Sequence, residues 1–448
     1  MTTKRSLTSS AGGRARWAVL VALALALALA VPIVGQAAQF NDYRTLLVGH
    51  AVDPRGLQAS PEGSKPSISL DGQYVGYVSG GGRAGSAVNL WGAARDSSEL
   101  ISRSSGGAPA DGESSEPAVS GGGWNVAFAS TASNLGGRGG ESNIYLRLSR
   151  KGETILVSRA SGANGAKGNG DSFAPAMSSN GDEVVFASTA TNLAPGARPG
   201  VTNIYMRNMR TERTMLVSRG ANGDSTHPQI SSTGNAVVFE SSATDLSPLA
   251  RSGEPQIYER KLDDGNTFLV SVAEDGKVAN RAAVNPSVDG DGGRVAFQSA
   301  ATNLSNLAND VENIYVRDNG SNQDFLASRS GGGSKAIANG DSSNPDIPRD
   351  GRFVCFQSVA TDLGNPYDGF GVNPRVSNVY VHDLLHHGTF LISRQSGRYS
   401  PGGNGDSTNV SCSAGASLAA YQSTSTNLSG GIQAGVMGVF RRTIFGGR

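Results

Sequence analysis

A carboxylate recurs at one position along this 448-residue sequence: Glu62, Glu113, Asp171, Asp224, Asp341 and Asp406. Each stands four residues ahead of a proline or its replacement, at Pro66, Pro117, Pro175, Pro228, Pro345 and Val410. One unit breaks the rule, with Ala282 ahead of Pro286. Four of the acids lie in identical Asn-Gly-Asp-Ser tetrapeptides. An oxygen-only set of this kind would bind a polar ligand, or a hard cation such as calcium in preference to zinc. Asp and Asn also fix turns by accepting backbone N–H groups, and a residue repeated in every unit is explained more economically by shared geometry than by one asymmetric site. The sequence has no EF-hand spacing and calls for no cofactor, calcium being the one metal its donors would favour.

An asymmetric site needs a residue that departs from the repeat. His227 does so, immediately before Pro228 and three residues after Asp224. A second group, His382, His386 and His387, has no cysteine or carboxylate cluster at metal-ligand spacing and reads as a solvated turn. No Gly-x-Ser-x-Gly elbow, P-loop, Ser-x-x-Lys or His-Glu-x-x-His occurs, and the glycine runs lack the strand–helix context of a phosphate loop.

The elements that must position these residues are short strands. Aligned on the prolines, units recur every 51 to 65 residues. Six positions after the proline comes a turn residue, Gly72, Gly123, Gly181, Gly234, Gly292 or Gly351, with Ala416 in the last unit. Five residues later stands a ring, from Tyr77 and Phe128 through to Tyr421. A third strand reads Asn-Ile-Tyr-x-Arg at Asn143, Asn203 and Asn313, and a fourth follows, such as Thr267-Phe268-Leu269-Val270. The seventh unit lacks its fourth strand, whereas Thr45-Leu46-Leu47-Val48 stands unclaimed ahead of the first. The orphan at one end supplies the strand missing at the other. Radially arranged four-stranded sheets close into a ring when first and last blades are joined, and the join covers their edges. The expectation is an all-β, seven-bladed β-propeller over residues 38–448, with its carboxylates and the Asn/Asp-Leu loops (Asn134, Asn192, Asp245 and equivalents) on one face near the central channel. His227 is then the candidate asymmetric channel residue.

Composition agrees and narrows the partners. Gly is abundant (61 residues) and charged residues are 17%. Residues 1–37 pair a basic start with an apolar run over Trp17–Val34, then Pro32 and the small residues Gly35 and Ala37. This reads as a cleaved secretory signal, an uncleaved anchor being the other reading. Removing its four cations takes the net charge from +1 to −3, which offers no footprint for nucleic acid. Membrane contact is expected only through that segment, if uncleaved. Cys355 and Cys412 fall on strands of adjacent blades, where either a disulfide or two buried thiols would fit.

The pattern Pro-x-Ile-Ser-x-x-Gly-x-x-Val-x-Phe-x-Ser, followed by Asn-Ile-Tyr-x-Arg, resembles the TolB-type (PD40-like, WD40-like) propeller repeat of bacterial envelope proteins and covers about residues 43–442. Lacking the separate N-terminal domain of TolB, the chain departs from that protein. The resemblance implies a periplasmic or secreted binding platform. Together with the absence of a catalytic motif, it makes a non-enzymatic scaffold for an envelope protein or glycan the leading expectation. An enzyme acting on envelope or extracellular polysaccharide through the channel, a lyase or hydrolase, is the alternative.

Overall fold

Each repeat unit folds into one antiparallel sheet, and seven such four-stranded sheets make up the computed structural model of the chain. It describes Met1 and residues 43–48, 63–82, 85–250, 254–307, 309–331, 336–363, 373–430 and 432–445. The proposed signal, residues 1–37, otherwise lies outside them. Blades 1 to 7 begin at their innermost strands: Gly63–Ile68, Ser114–Val119, Ser172–Met177, Ser225–Ile230, Ala283–Val288, Ser342–Asp346 and Ser407–Cys412. Each of these touches the first strands of both neighbouring blades, so the seven form a closed inner wall.

Closure follows the offset read from the repeat. Thr45–Val48 pairs antiparallel with Gly438–Thr443, the third strand of blade 7, in the register Thr45↔Arg442 to Val48↔Val439. The chain is therefore a seven-bladed propeller whose last sheet is built from both ends.

Packing explains the ring residues. The second-strand aromatic stacks on the third-strand aromatic of its own sheet, as in Phe128–Tyr145, Phe239–Tyr258 and Tyr421–Phe440, with centroids 5.7–6.0 Å apart. All are fully buried, and each pair contributes about 1 kcal/mol beyond its area burial. The apolar clusters span sheets: Val78, Val88 and Leu90 of blade 1 pack on Val126, Phe128 and Tyr145 of blade 2. The turn glycines take positive φ, from 64° at Gly351 to 79° at Gly292, and Ala416 adopts 49° in the seventh unit.

Two further devices tie blades together. The arginine of Asn-Ile-Tyr-x-Arg reaches toward the preceding blade: Arg207 Nη1 donates to Ala160 O at 2.9 Å, while also donating to Thr214 Oγ1 of its own blade at 2.9 Å. The two cysteines, for which the sequence left two states open, form a disulfide between the second strand of blade 6 and the first strand of blade 7.

Candidate active site

The repeated carboxylates sit exposed where the chain enters the inner strands, and four of them clasp the preceding blade. An Oδ1 oxygen accepts a backbone N–H from the residue just ahead of the neighbour's third strand: Ser142 to Asp171, Thr202 to Asp224, Glu312 to Asp341 and Ser377 to Asp406, at 2.7–3.0 Å. Glu113 is exposed at the same position in blade 2, and Glu62 lies outside the described residues. The asparagine of the tetrapeptide clasps the loop after the second strand of its own blade, as when Asn222 N–H donates to Asp245 Oδ1 at 2.9 Å. Among the described residues, no group of three or more His, Cys, Asp or Glu side chains is placed to hold a metal ion.

The His382 group is divided by the pleat. His382 is buried, not solvated, with Nδ1 2.8 Å from Thr389 Oγ1, and burial pulls its pKa down to about 3. Asp383 points the other way, to Arg352 at 2.6 Å and His386 at 2.9 Å. His382 takes the place of the stapling arginine in blade 6, and a rim hollow of about 520 Å³ lies beside it. Of its ionisable groups, Asp324 bonds Arg317 at 3.2 Å and His382 bonds Thr389, while Asp324 Oδ1 and Arg329 Nε are buried without a hydrogen-bond partner. The hollow's size alone does not make it the site.

The channel is different. Its wall narrows to a cavity of about 310 Å³ lined by Pro66, Pro117, Pro175, Pro286 and Pro345 together with Asp346. Asp346 accepts the Cys412 N–H at 2.6 Å, and burial pushes its pKa up to about 6. The residue before each proline, or before Val410 in blade 7, forms the adjacent layer, and all seven have positive φ: Lys65, Glu116, Ala174, His227, Asn285, Asn344 and Asn409, at 48–55°. Each sits in a break of register, as between Thr226 and Gln229 in blade 4. Such bulges re-aim side chains, and their recurrence in all seven blades makes them part of the blade geometry.

This layer is not sevenfold symmetric. Blades 5 to 7 supply Asn285, Asn344 and Asn409, whereas blades 1, 2 and 4 supply Lys65, Glu116 and His227. Lys65 Nζ lies 3.5 Å from Glu116 Oε1. His227 Nδ1 lies 2.8 Å from Glu240 Oε1, which also accepts the Thr226 hydroxyl at 2.6 Å. The hydrogen bond to Glu240 raises the His227 pKa; burial opposes the rise, and the charges of Glu240 and Glu116 support it. Burial alone would raise the Glu240 carboxyl, but the bond and charge of His227, with the Thr226 and Asn285 donors, hold it below its ordinary value. Sequence reasoning singled out His227 but missed Lys65, Glu116 and Glu240. The signal for them is the aligned position before the proline, and the one after the second-strand ring, where the units read Val78, Ala129, Ala187, Glu240, Gln298, Gln357 and Gln422.

No protein-family model and no curated protein sequence matches the chain. Solved structures do. TolB from Acinetobacter baumannii is 13% identical at TM-score 0.43, over 72% of this chain, which spans 66% of that one. An oligogalacturonate lyase in complex with manganese is 10% identical at TM-score 0.51, over 90% of this chain and 97% of that one. An oligogalacturonate lyase from Vibrio parahaemolyticus is 10% identical at TM-score 0.50, with the same coverage. At these identities the likeness is one of fold, a β-propeller. The described side chains here do not supply a donor group for a metal such as that manganese.

These findings correct the expectation of a non-enzymatic scaffold. That expectation rested on analogy with binding propellers and on the lack of any catalytic constellation. The propellers matched at the higher coverage and TM-score are lyases. The channel, moreover, holds an ionisable cluster that departs from the repeat. The second reason fails because the cluster is assembled from blades 1, 2 and 4, so no contiguous motif marks it.

Proposed function

We propose that the protein is a periplasmic or secreted propeller enzyme that cleaves a polysaccharide of the envelope or extracellular space in its central channel, as a lyase or hydrolase. The observation that carries this reading is the 2.8 Å pair of His227 and Glu240 on the layer of positive-φ residues next to the channel cavity. A carboxylate bonded to one imidazole nitrogen orients the ring and leaves the other as the working nitrogen. With Nδ1 engaged by Glu240, Nε2–H as a hydrolase acid gives its proton to the glycosidic oxygen while the C–O bond breaks and water adds to the anomeric carbon. As a lyase base, neutral Nε2 takes the proton beside a uronate carboxyl while the neighbouring C–O bond breaks and a C=C bond forms. The raised pKa keeps a larger imidazolium share near neutral pH, as a general acid–base requires. Glu240 is thus a positioning residue, and Glu116, held by Lys65, stands on the same arc. The basic-then-apolar segment of residues 1–37 and the TolB-type repeat support the location.

The test is release of new chain ends from a panel of envelope and extracellular polysaccharides. His227→Ala is expected to lose about 10²-fold or more in rate with an unchanged melting temperature. A wild-type protein that cleaves none of the panel, or a variant that retains its rate, would overturn the reading.

A further inference from the structure

In five of the seven blades, the backbone amide of the residue before the proline is taken by a side-chain oxygen from the preceding blade. Gln422 accepts the N–H of Lys65 at 2.8 Å, Glu116 that of Ala174 at 2.7 Å, and Glu240 that of Asn285 at 3.1 Å. Gln298 accepts that of Asn344 at 3.4 Å, and Gln357 that of Asn409 at 2.8 Å. Four of these acceptors are the residue after the second-strand ring. At that position blade 1 has Val78 and blade 3 has Ala187, whose side chains carry no hydrogen-bond acceptor. The amides of Glu116 and His227 therefore lack the acceptor that the repeat provides elsewhere. Between them stands Ala174, the smallest side chain of the layer.

We infer that blades 2 to 4 form a seat for a neutral, hydroxyl-bearing sugar ring, whose oxygens take the places left by the missing Gln side chains. Three features set the class. The open donors are uncharged amides, which suit a neutral oxygen. The neighbouring carboxylates, Glu116 and Glu240, already take donors of the fold, and their negative charge repels a sugar carboxylate but not a neutral hydroxyl. The two cations on this arc are each already paired, Lys65 with Glu116 and His227 with Glu240, so no positive charge is left over for an acidic sugar. The seat rests on the catalytic reading of the channel and narrows it from polysaccharides in general to neutral ones, and from lyase or hydrolase to hydrolase, since elimination needs the acidified proton beside a uronate carboxyl.

The experiment restores the absent acceptor. Ala187→Gln places a carboxamide beside the His227 amide, as Gln298 stands beside that of Asn344. Binding of neutral trisaccharides (cellotriose, maltotriose and galactotriose) and of trigalacturonate to the intact protein is compared by calorimetry. At least one neutral trisaccharide should bind tenfold or more tighter than trigalacturonate. Ala187→Gln should weaken it at least tenfold; Ala187 is fully buried beside Ile204, Val237 and Phe239, so the melting temperature is measured with the binding. Should that variant misfold, Ala187→Ser, which brings a hydroxyl to the same place, is expected to weaken binding to a smaller degree. Preferred binding of trigalacturonate, binding of neither class, or neutral binding indifferent to both substitutions overturns the inference. The two readings fail separately. Cleavage that depends on His227 but acts on an acidic glycan keeps the enzyme and removes the neutral seat. Neutral binding lost in Ala187→Gln without any cleavage keeps the seat and removes the enzyme.

Discussion

Thr45 and Arg442, 397 positions apart in the chain, are hydrogen-bonded at 2.5 Å from Nη1 of the guanidinium to the threonine Oγ1. The same nitrogen donates to the carbonyls of Arg394 at 2.9 Å and Gln395 at 2.6 Å, while Thr45 Oγ1 donates to Arg394 O at 2.7 Å. The strand that closes the ring is thereby stapled to the blade before it. Arg442 is 3% exposed and burial pulls its guanidinium down to about 10, so its bonds offset a desolvated charge. Arg442→Met should cost about 2–3 kcal/mol and Thr45→Val about 1–2 kcal/mol by denaturant unfolding. Unfolding midpoints equal to wild type in both variants would refute the staple.

Gly123 has φ of 73°, and an added Cβ would stand 2.1 Å from Tyr74 Cδ2 of the preceding blade. Gly107 has φ of 89° with nothing within 4 Å of the same position. Gly123→Ala should therefore cost at least about 2 kcal/mol, backbone strain plus overlap, and Gly107→Ala only the strain. Equal losses in the two variants would show that the inter-blade contact is not tight.

The Cys355–Cys412 bond spans 57 positions. On the chain-entropy account, a loop of that size is worth up to about 4 kcal/mol. Changing both cysteines to alanine should lower the melting temperature, and reduced wild type should melt with the variant. Reductant that leaves wild-type melting unchanged would contradict the bond's contribution.

Asp346 provides a pH test. Its folded value, pushed up to about 6, lies above the unfolded carboxyl range near 4, so the native state binds the extra proton between about pH 4 and 6. Stability contributed by this group is then present below about pH 4 and falls as pH rises through about 6. Asp346→Asn keeps an acceptor for the Cys412 N–H and removes that penalty, of order 3 kcal/mol at pH 7. The variant should melt above wild type at pH 7 and with it at pH 4. A variant that melts lower at both would show that the anion is needed.

The repeat made the blades, their number and the closing strand legible, because Thr45–Val48 matches the fourth strand that the seventh unit lacks. The acids of the Asn-Gly-Asp-Ser motif were equally visible, but not the backbone N–H groups of Ser142 or Thr202 that they accept, which belong to other blades. Glu116 and Glu240 were hidden for a related reason. They occupy ordinary repeat positions; the bulged, positive-φ backbone sets Glu240 against His227 within blade 4, and the curvature of the ring brings Glu116 into range of its charge. The cysteine pairing depended on the approach of blade 6 to blade 7, which spacing alone does not encode.

The most direct test of the channel account is the pH dependence of kcat/KM for polysaccharide cleavage in wild type and Glu240→Gln, with His227→Ala as reference. The hydrogen bond to Glu240 is what holds the His227 pKa up. The limb controlled by the imidazole should therefore move to lower pH in Glu240→Gln and be absent, with the rate, in His227→Ala. A limb that stays in place when Glu240 is neutralised, or a rate that survives the loss of His227, would show that this pair is not the acid–base machinery.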